Sequence, residues 1–173
     1  MGELLTVLPE PALSLAGFAL AHAAWSIADA DDGEPLRPLA VVEHADGTRR
    51  LLRFEADTQE QAIIAGKTAM RKATSDAAAW AFAREGAWRK MGGDQLGDVL
   101  AVDFWATGMP VVATLTQPFN RPTNGSRFRI GGVPTLVVGD RLLPADAAST
   151  PIKAIMAGVQ THTMVAELWP TWR

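Results

Sequence analysis

AAAWAFAREGAWRK, residues 77–90, is the stretch on which the fold turns. Its alanine content suits a helix. However, Trp80, Phe82 and Trp88 share one parity, while Ala77, Ala79, Ala81 and Ala83 share the other. Side chains on a strand alternate between faces, so this ordering predicts a strand whose small side is pressed against helices. The following Met91-Gly92-Gly93-Asp94 predicts a hairpin into a second strand over 98–107, and Gly108-Met109-Pro110 leads into a third over 111–119. After a Pro/Asn/Gly-rich loop at 118–126, two short strands are expected at 127–130 and 135–138.

Upstream, residues 39–45 and 48–55 flank Asp46-Gly47, a strong hairpin signal. A two-residue turn there sets Ala45 opposite Thr48, Glu43 opposite Arg50, Val41 opposite Leu52 and Leu39 opposite Phe54. Helices flank the strands. Pro9 and Pro11 open one over 11–29, with Leu13, Gly17, Leu20, Ala24 and Ile27 on one stripe and Leu15, Phe18, His22 and Trp25 on the next. A helix apolar on most sides is either sandwiched in a core or shared with a second subunit, and the second option is the expectation here. Asp57 as N-cap with Glu60 three residues on predicts a helix that buries Ala62, Ile63, Gly66, Ala69, Met70 and Ala73. Lys67, Arg71 and Lys72 suit its C-terminal dipole. Thr150 as cap and Pro151 at the first helical position predict a last helix reaching about residue 169. The expected fold is therefore one α+β domain over residues 1–173: helix, β-hairpin, helix, antiparallel β-meander and C-terminal helix, with the helices on one face of the sheet.

The chain of 173 residues is 48% hydrophobic and 20% charged, enough to bury a core without staples. It contains no cysteine, which excludes disulfides and thiolate chemistry. Arginine-rich, alanine-rich usage fits a GC-rich bacterial genome. A net charge of −3 gives no overall basic field for nucleic acid or an anionic membrane. Residues 12–28 are nearly all apolar, but the segment before them has Glu3 and Glu10 and no Lys or Arg. A buried helix is expected there rather than a signal or membrane segment. A cytoplasmic setting follows as the expectation.

Several motifs suggest chemistry and fall short of it. Ala65-Gly66-Lys67-Thr68 resembles the end of a phosphate-binding loop, but position 61 is Gln and the segment sits within a predicted helix. Asp29, Asp31, Asp32 and Glu34 lack the calcium-loop pattern, since Gly33 and Ala40 occupy its fifth and twelfth positions. His22, His44 and His162 have no helical metal spacing. Ser75, Ser126 and Ser149 lack a nucleophile elbow. Val133-Pro134-Thr135 and the three residues after it resemble the proline strand of thioredoxin-like proteins. The βαβ unit and Cys-x-x-Cys that would carry that chemistry are absent. Arg49, Arg50, Arg53, Arg127 and Arg129 read as solvated strand faces.

The remaining constellation is Trp80, Arg84 and Trp88 on one strand parity with Asp103 and Trp105 on one parity of the next. Large aromatics around an Arg and an Asp build ligand pockets and interface hot spots. The leading expectation is a non-catalytic, homo-oligomeric (dimeric) interaction or accessory protein. Its partner is its own copy or another protein, and no catalytic residue, metal, cofactor, nucleic acid or membrane is assigned. The alternative is a small-molecule-binding protein or a non-covalent acid/base enzyme with an aromatic-lined pocket, in which Asp103 is the acid or base and Arg84 holds an anion.

Overall fold

The computed structural model describes residues 8–30, 34–89, 95–123 and 125–173. Met91–Asp94, two of the acidic loop's four carboxylates (Asp31, Asp32) and the side chain of Trp88 lie outside the described residues. The element order is α1 (Glu10–Ala28), β1 (Leu39–Glu43), β2 (Arg49–Arg53), α2 (Gln59–Ala73), β3 (Ala79–Arg89), β4 (Gln95–Ala106), β5 (Ala113–Asn120), β6 (Arg129–Ile130), β7 (Thr135–Val138), β8 (Arg141–Leu142) and α3 (Ala145–Val159). A 3-10 turn at Trp169–Trp172 closes the described chain. The strands form one antiparallel sheet in the order β2-β1-β3-β4-β5-β7-β8, with β6 paired to β5. The class is α+β, as expected.

Residues 79–89 are a strand, and both parities are covered. Ala79, Ala81 and Ala83 lie in the larger core, against α1, whereas Trp80 and Phe82 lie in a smaller core beneath α2. Alanine is needed on the first side because α1 comes close to the sheet. Helix placement departs from the expectation in one respect. α1 and α3 share one face, but α2 covers the other, because the larger face is already filled by α1. On that opposite face Ala40, Val42, Trp80 and Phe82 meet Met70, Ile63 and Ala69 of α2.

α1 lies between the sheet and α3, so the stripe of Leu13, Gly17, Leu20, Ala24 and Ile27 is buried within one chain, while Phe18, His22 and Trp25 of the other stripe are half-buried; Leu15, Leu20 and Ala24 have no exposed surface. It is long and apolar enough to cross a membrane by composition, yet 61% of that window is buried inside the fold, as a core helix requires. The crossing with α3 is close. A Cβ on Gly17 would stand 1.9 Å from the Ile155 carbonyl oxygen, and one on Gly158 would stand 2.2 Å from that of Ser14.

Three local expectations are corrected. The hairpin register is offset by one residue: Glu43 faces Arg49, Val41 faces Leu51 and Leu39 faces Arg53. The loop has three residues, not two. Gly47 N–H donates to His44 O at 2.9 Å, Gly47 takes φ +84°, and Asp46 Oδ1 accepts from Thr48 N at 2.9 Å. This is a tight turn followed by a bulge glycine, and the ion pair it makes is Arg49–Glu43 at 2.8 Å. A one-residue slip exchanges the faces, so Arg49 and Arg53 point toward α1. The cap of α2 is Thr58, whose Oγ1 accepts from Gln61 N at 3.1 Å, rather than Asp57. Finally, α3 begins at Ala145, with Pro151 inside it, and ends at Val159. A proline in that interior removes one backbone bond, and here its buried ring packs within the helix layer. The Val133–Pro134 peptide is trans.

Candidate functional site

The α2-side sheet face carries a cleft of about 380 Å³. Cross-strand register assembles its floor. Trp80 faces Trp105 and Phe82 faces Asp103 across β3 and β4, and Asp103 faces Thr114 on β5. Arg84, one turn of the pleat beyond Phe82, reaches back over that ring, its guanidinium carbon 5.9 Å from the centroid. Its Nη1 donates to Asp103 Oδ2 at 2.7 Å, while Thr114 Oγ1 donates to Asp103 Oδ1 at 2.6 Å. Both carboxylate oxygens are thereby engaged, and the two charged side chains are only 17% and 12% exposed. Trp80 is held too: its Nε1 donates to Thr74 Oγ1 at 2.9 Å at the end of α2. Lys67, Met70 and Arg71 of α2 form one wall, and Val112 with Gly139 forms the opposite rim.

Of the five residues expected at a site, Trp80, Arg84 and Asp103 converge here. Trp105 sits beside Trp80 in the sheet but donates its Nε1 to Met109 O at 3.0 Å and does not line the cleft. The backbone of Trp88 pairs with Gly97, four residues along the strand from Arg84, or about 13 Å at 3.3 Å per residue. Lys67, Arg71 and Thr114 were not anticipated. Lys67 and Arg71 stand four apart and so share a helix face, a signal the sequence did carry.

A second polar cluster joins residues 140 positions apart. His22 Nδ1 lies 3.0 Å from His162 Nε2, and Arg53 Nη2 lies 3.1 Å from His22 Nε2. A guanidinium only donates, so His22 Nε2 accepts, His22 Nδ1 carries the proton and His162 Nε2 accepts in turn. His162 Nδ1–H then ends the chain, buried and without a hydrogen-bond partner. Burial, followed by the Arg53 and His162 charges, pulls His22 down to a pKa of about 4, and burial lowers His162 as well. Phe18 and Trp25 pack around the two rings. Among the described residues no group of three or more His, Asp or Glu side chains could hold a metal.

A larger, open trough of about 960 Å³ runs past Arg121, Arg127 and Arg129. Arg121 is occupied there, with Nη2 on Glu85 Oε2 at 2.5 Å and Nη1 on Glu34 O at 3.0 Å. Its aromatic residues, Phe119 and Phe128, are buried in the core with ring centroids 5.8 Å apart. Comparison with protein-family models, curated proteins and solved structures gives no match to the chain.

Proposed function

We propose that the protein binds a small organic molecule in the cleft between α2 and the sheet, and that it does so without catalysis. The observation that carries this is the fixed Arg84. It is held by Asp103, which is itself held by Thr114, at the back of a cleft floored by Trp80 and Phe82. Sites for small ligands are largely preformed, mostly apolar and furnished with a few fixed polar groups, within a volume range that includes this one. Asp103 spends one oxygen on Arg84 and the other on Thr114, so its role is to hold Arg84 in position. Binding in a cysteine-free bacterial protein suits a cytoplasmic setting.

Native mass spectrometry of the purified protein, then of the same sample denatured, tests the assignment. A bound mass that disappears on denaturation is expected. Val112→Trp, which fills the cleft from its exposed rim, should abolish it while leaving the circular dichroism unchanged. Equal occupancy in that variant would place the ligand elsewhere.

A homo-oligomer is the second reading, and one observation favours it. α2 covers only the β1–β3 end of its face, leaving Leu142 on the edge strand 65% exposed beside Val137. Since α1 is covered by α3 and the sheet, this open end is where a second copy would pack. The same spectra read it directly, as twice the 18.5 kDa chain mass.

A further inference from the structure

We infer that the ligand of the α2 cleft is a small organic dianion, a phosphate monoester or a dicarboxylate. This rests on the cleft being the binding site, as proposed above, and adds the chemical class of what it takes. Lys67 and Arg71 of α2 and Arg84 of β3 all border the cleft, against one carboxylate, Asp103, among the described residues. Arg84 is neutralised by Asp103 at 2.7 Å. Lys67 and Arg71 are left as the excess, two positive charges on one helix wall.

The geometry separates two tasks. Trp80 and Phe82 line the cleft from the sheet, but Phe82 is fully buried and Trp80 is 4% exposed, so they close its base rather than present an open ring face. Lys67 and Arg71, which have no ion-pair partner among the described residues, stand on α2 beside them. A ligand in the cleft therefore places its charged end toward α2. There, one unit of charge leaves one cation unsatisfied, and two units satisfy both. Ionised hydrogen bonds from Lys and Arg to carboxylate or phosphate oxygens are the strong ones, and they strengthen as water is excluded. Arg84, held in a fixed orientation by Asp103 at 2.7 Å, also lines the cleft.

The test is isothermal titration of the intact chain with four probes sharing one ring: phenyl phosphate, phthalate, benzoate and benzyl alcohol. The pH is kept well above the second phosphate ionisation, near about 6. The dianions should bind about ten-fold more tightly than benzoate, a step of about one strong charge-assisted contact, and added salt should narrow the gap. Lys67→Gln/Arg71→Gln changes two exposed helix positions to a good helix former. It should weaken both dianions more than benzoate, and benzoate more than benzyl alcohol, so that the gap between dianion and monoanion closes. Which dianion binds more tightly decides between a phosphate and a dicarboxylate ligand. Dianions no tighter than benzoate, or unaffected by the double substitution, would overturn the inference. If benzoate and benzyl alcohol still bind in that event, and Val112→Trp blocks them, the cleft survives as a binding site and only the class is wrong. If none of the four probes binds, both fall.

Discussion

His22 shows how a single side chain can set a property of the whole protein. Its imidazole is kept neutral by burial and by Arg53 at 3.1 Å, with a folded-state pKa of about 4. In the unfolded chain a histidine titrates near about 6.5. Below that value the unfolded state takes up a proton that the folded state refuses. The stabilising contribution is therefore complete above pH about 6.5 and is lost progressively as pH falls toward about 4. The urea midpoint should drop between pH 7.5 and 5, and the drop should be smaller in His22→Asn, which keeps a donor toward His162. Equal slopes in the two proteins would remove His22 as the source. Sequence spacing could not reveal this pair, since His22 and His162 are brought together only by the α1–α3 crossing. Trp80, Arg84 and Asp103 were legible, because strand parity alone aligns them once residues 79–89 and 95–106 are paired. Lys67, Arg71 and Thr114 join them only because α2 crosses that particular face, and no local pattern encodes the choice.

At the scale of elements, the crossing of α1 and α3 depends on two missing side chains. Gly17 and Gly158 allow backbone-to-backbone approach, and an added methyl at Gly17 would overlap the Ile155 carbonyl oxygen at 1.9 Å. The obstacle is main chain, which cannot rotate aside, so the helices must separate. Gly17→Ala should cost about 3 kcal/mol, at the upper end for overpacking. Gly97→Ala in β4 meets nothing within 4 Å and should be neutral or raise stability by about 0.5 kcal/mol through the unfolded state. Denaturant midpoints of the two variants give the comparison; similar losses in both would rule out the close crossing as the cause. Elements of this kind were recognised in the sequence by their periodicity, but their limits were less legible. Pro151 reads as a helix start because proline is favoured there, yet α3 begins six residues earlier and tolerates it. The Asp46-Gly47 pair announces a hairpin without saying whether two or three residues form its loop. That one-residue difference moved Arg49 and Arg53 to the α1 face, and with them the partner of His22.

For the molecule as a whole, the sheet divides a large core from a small one. α1, α3 and the C-terminal tryptophans bury the central strands on one side, whereas α2 rests mainly on Ala40, Val42, Trp80 and Phe82 on the other. Regions with less buried apolar surface open at lower free energy than the global transition. α2 should therefore exchange its amide hydrogens by a sub-global opening, ahead of β3, β4 and α1. Gly66 offers a way to isolate that step. Its missing Cβ would fall 2.3 Å from the Phe82 ring, and that ring is fully buried and wedged edge-on against Phe54. Gly66→Ala must lift α2 from the sheet and leave the α1–α3 side untouched. Hydrogen exchange by mass spectrometry should then show peptides over 59–73 losing protection, with those over 10–28 and 79–89 unchanged. Uniform loss across the chain would mean that the two cores unfold as one unit. Selective loss would make α2 the movable wall of the cleft. Because Lys67, Met70 and Arg71 are on that wall, ligand affinity would then fall with α2 docking even though none of those side chains had been altered.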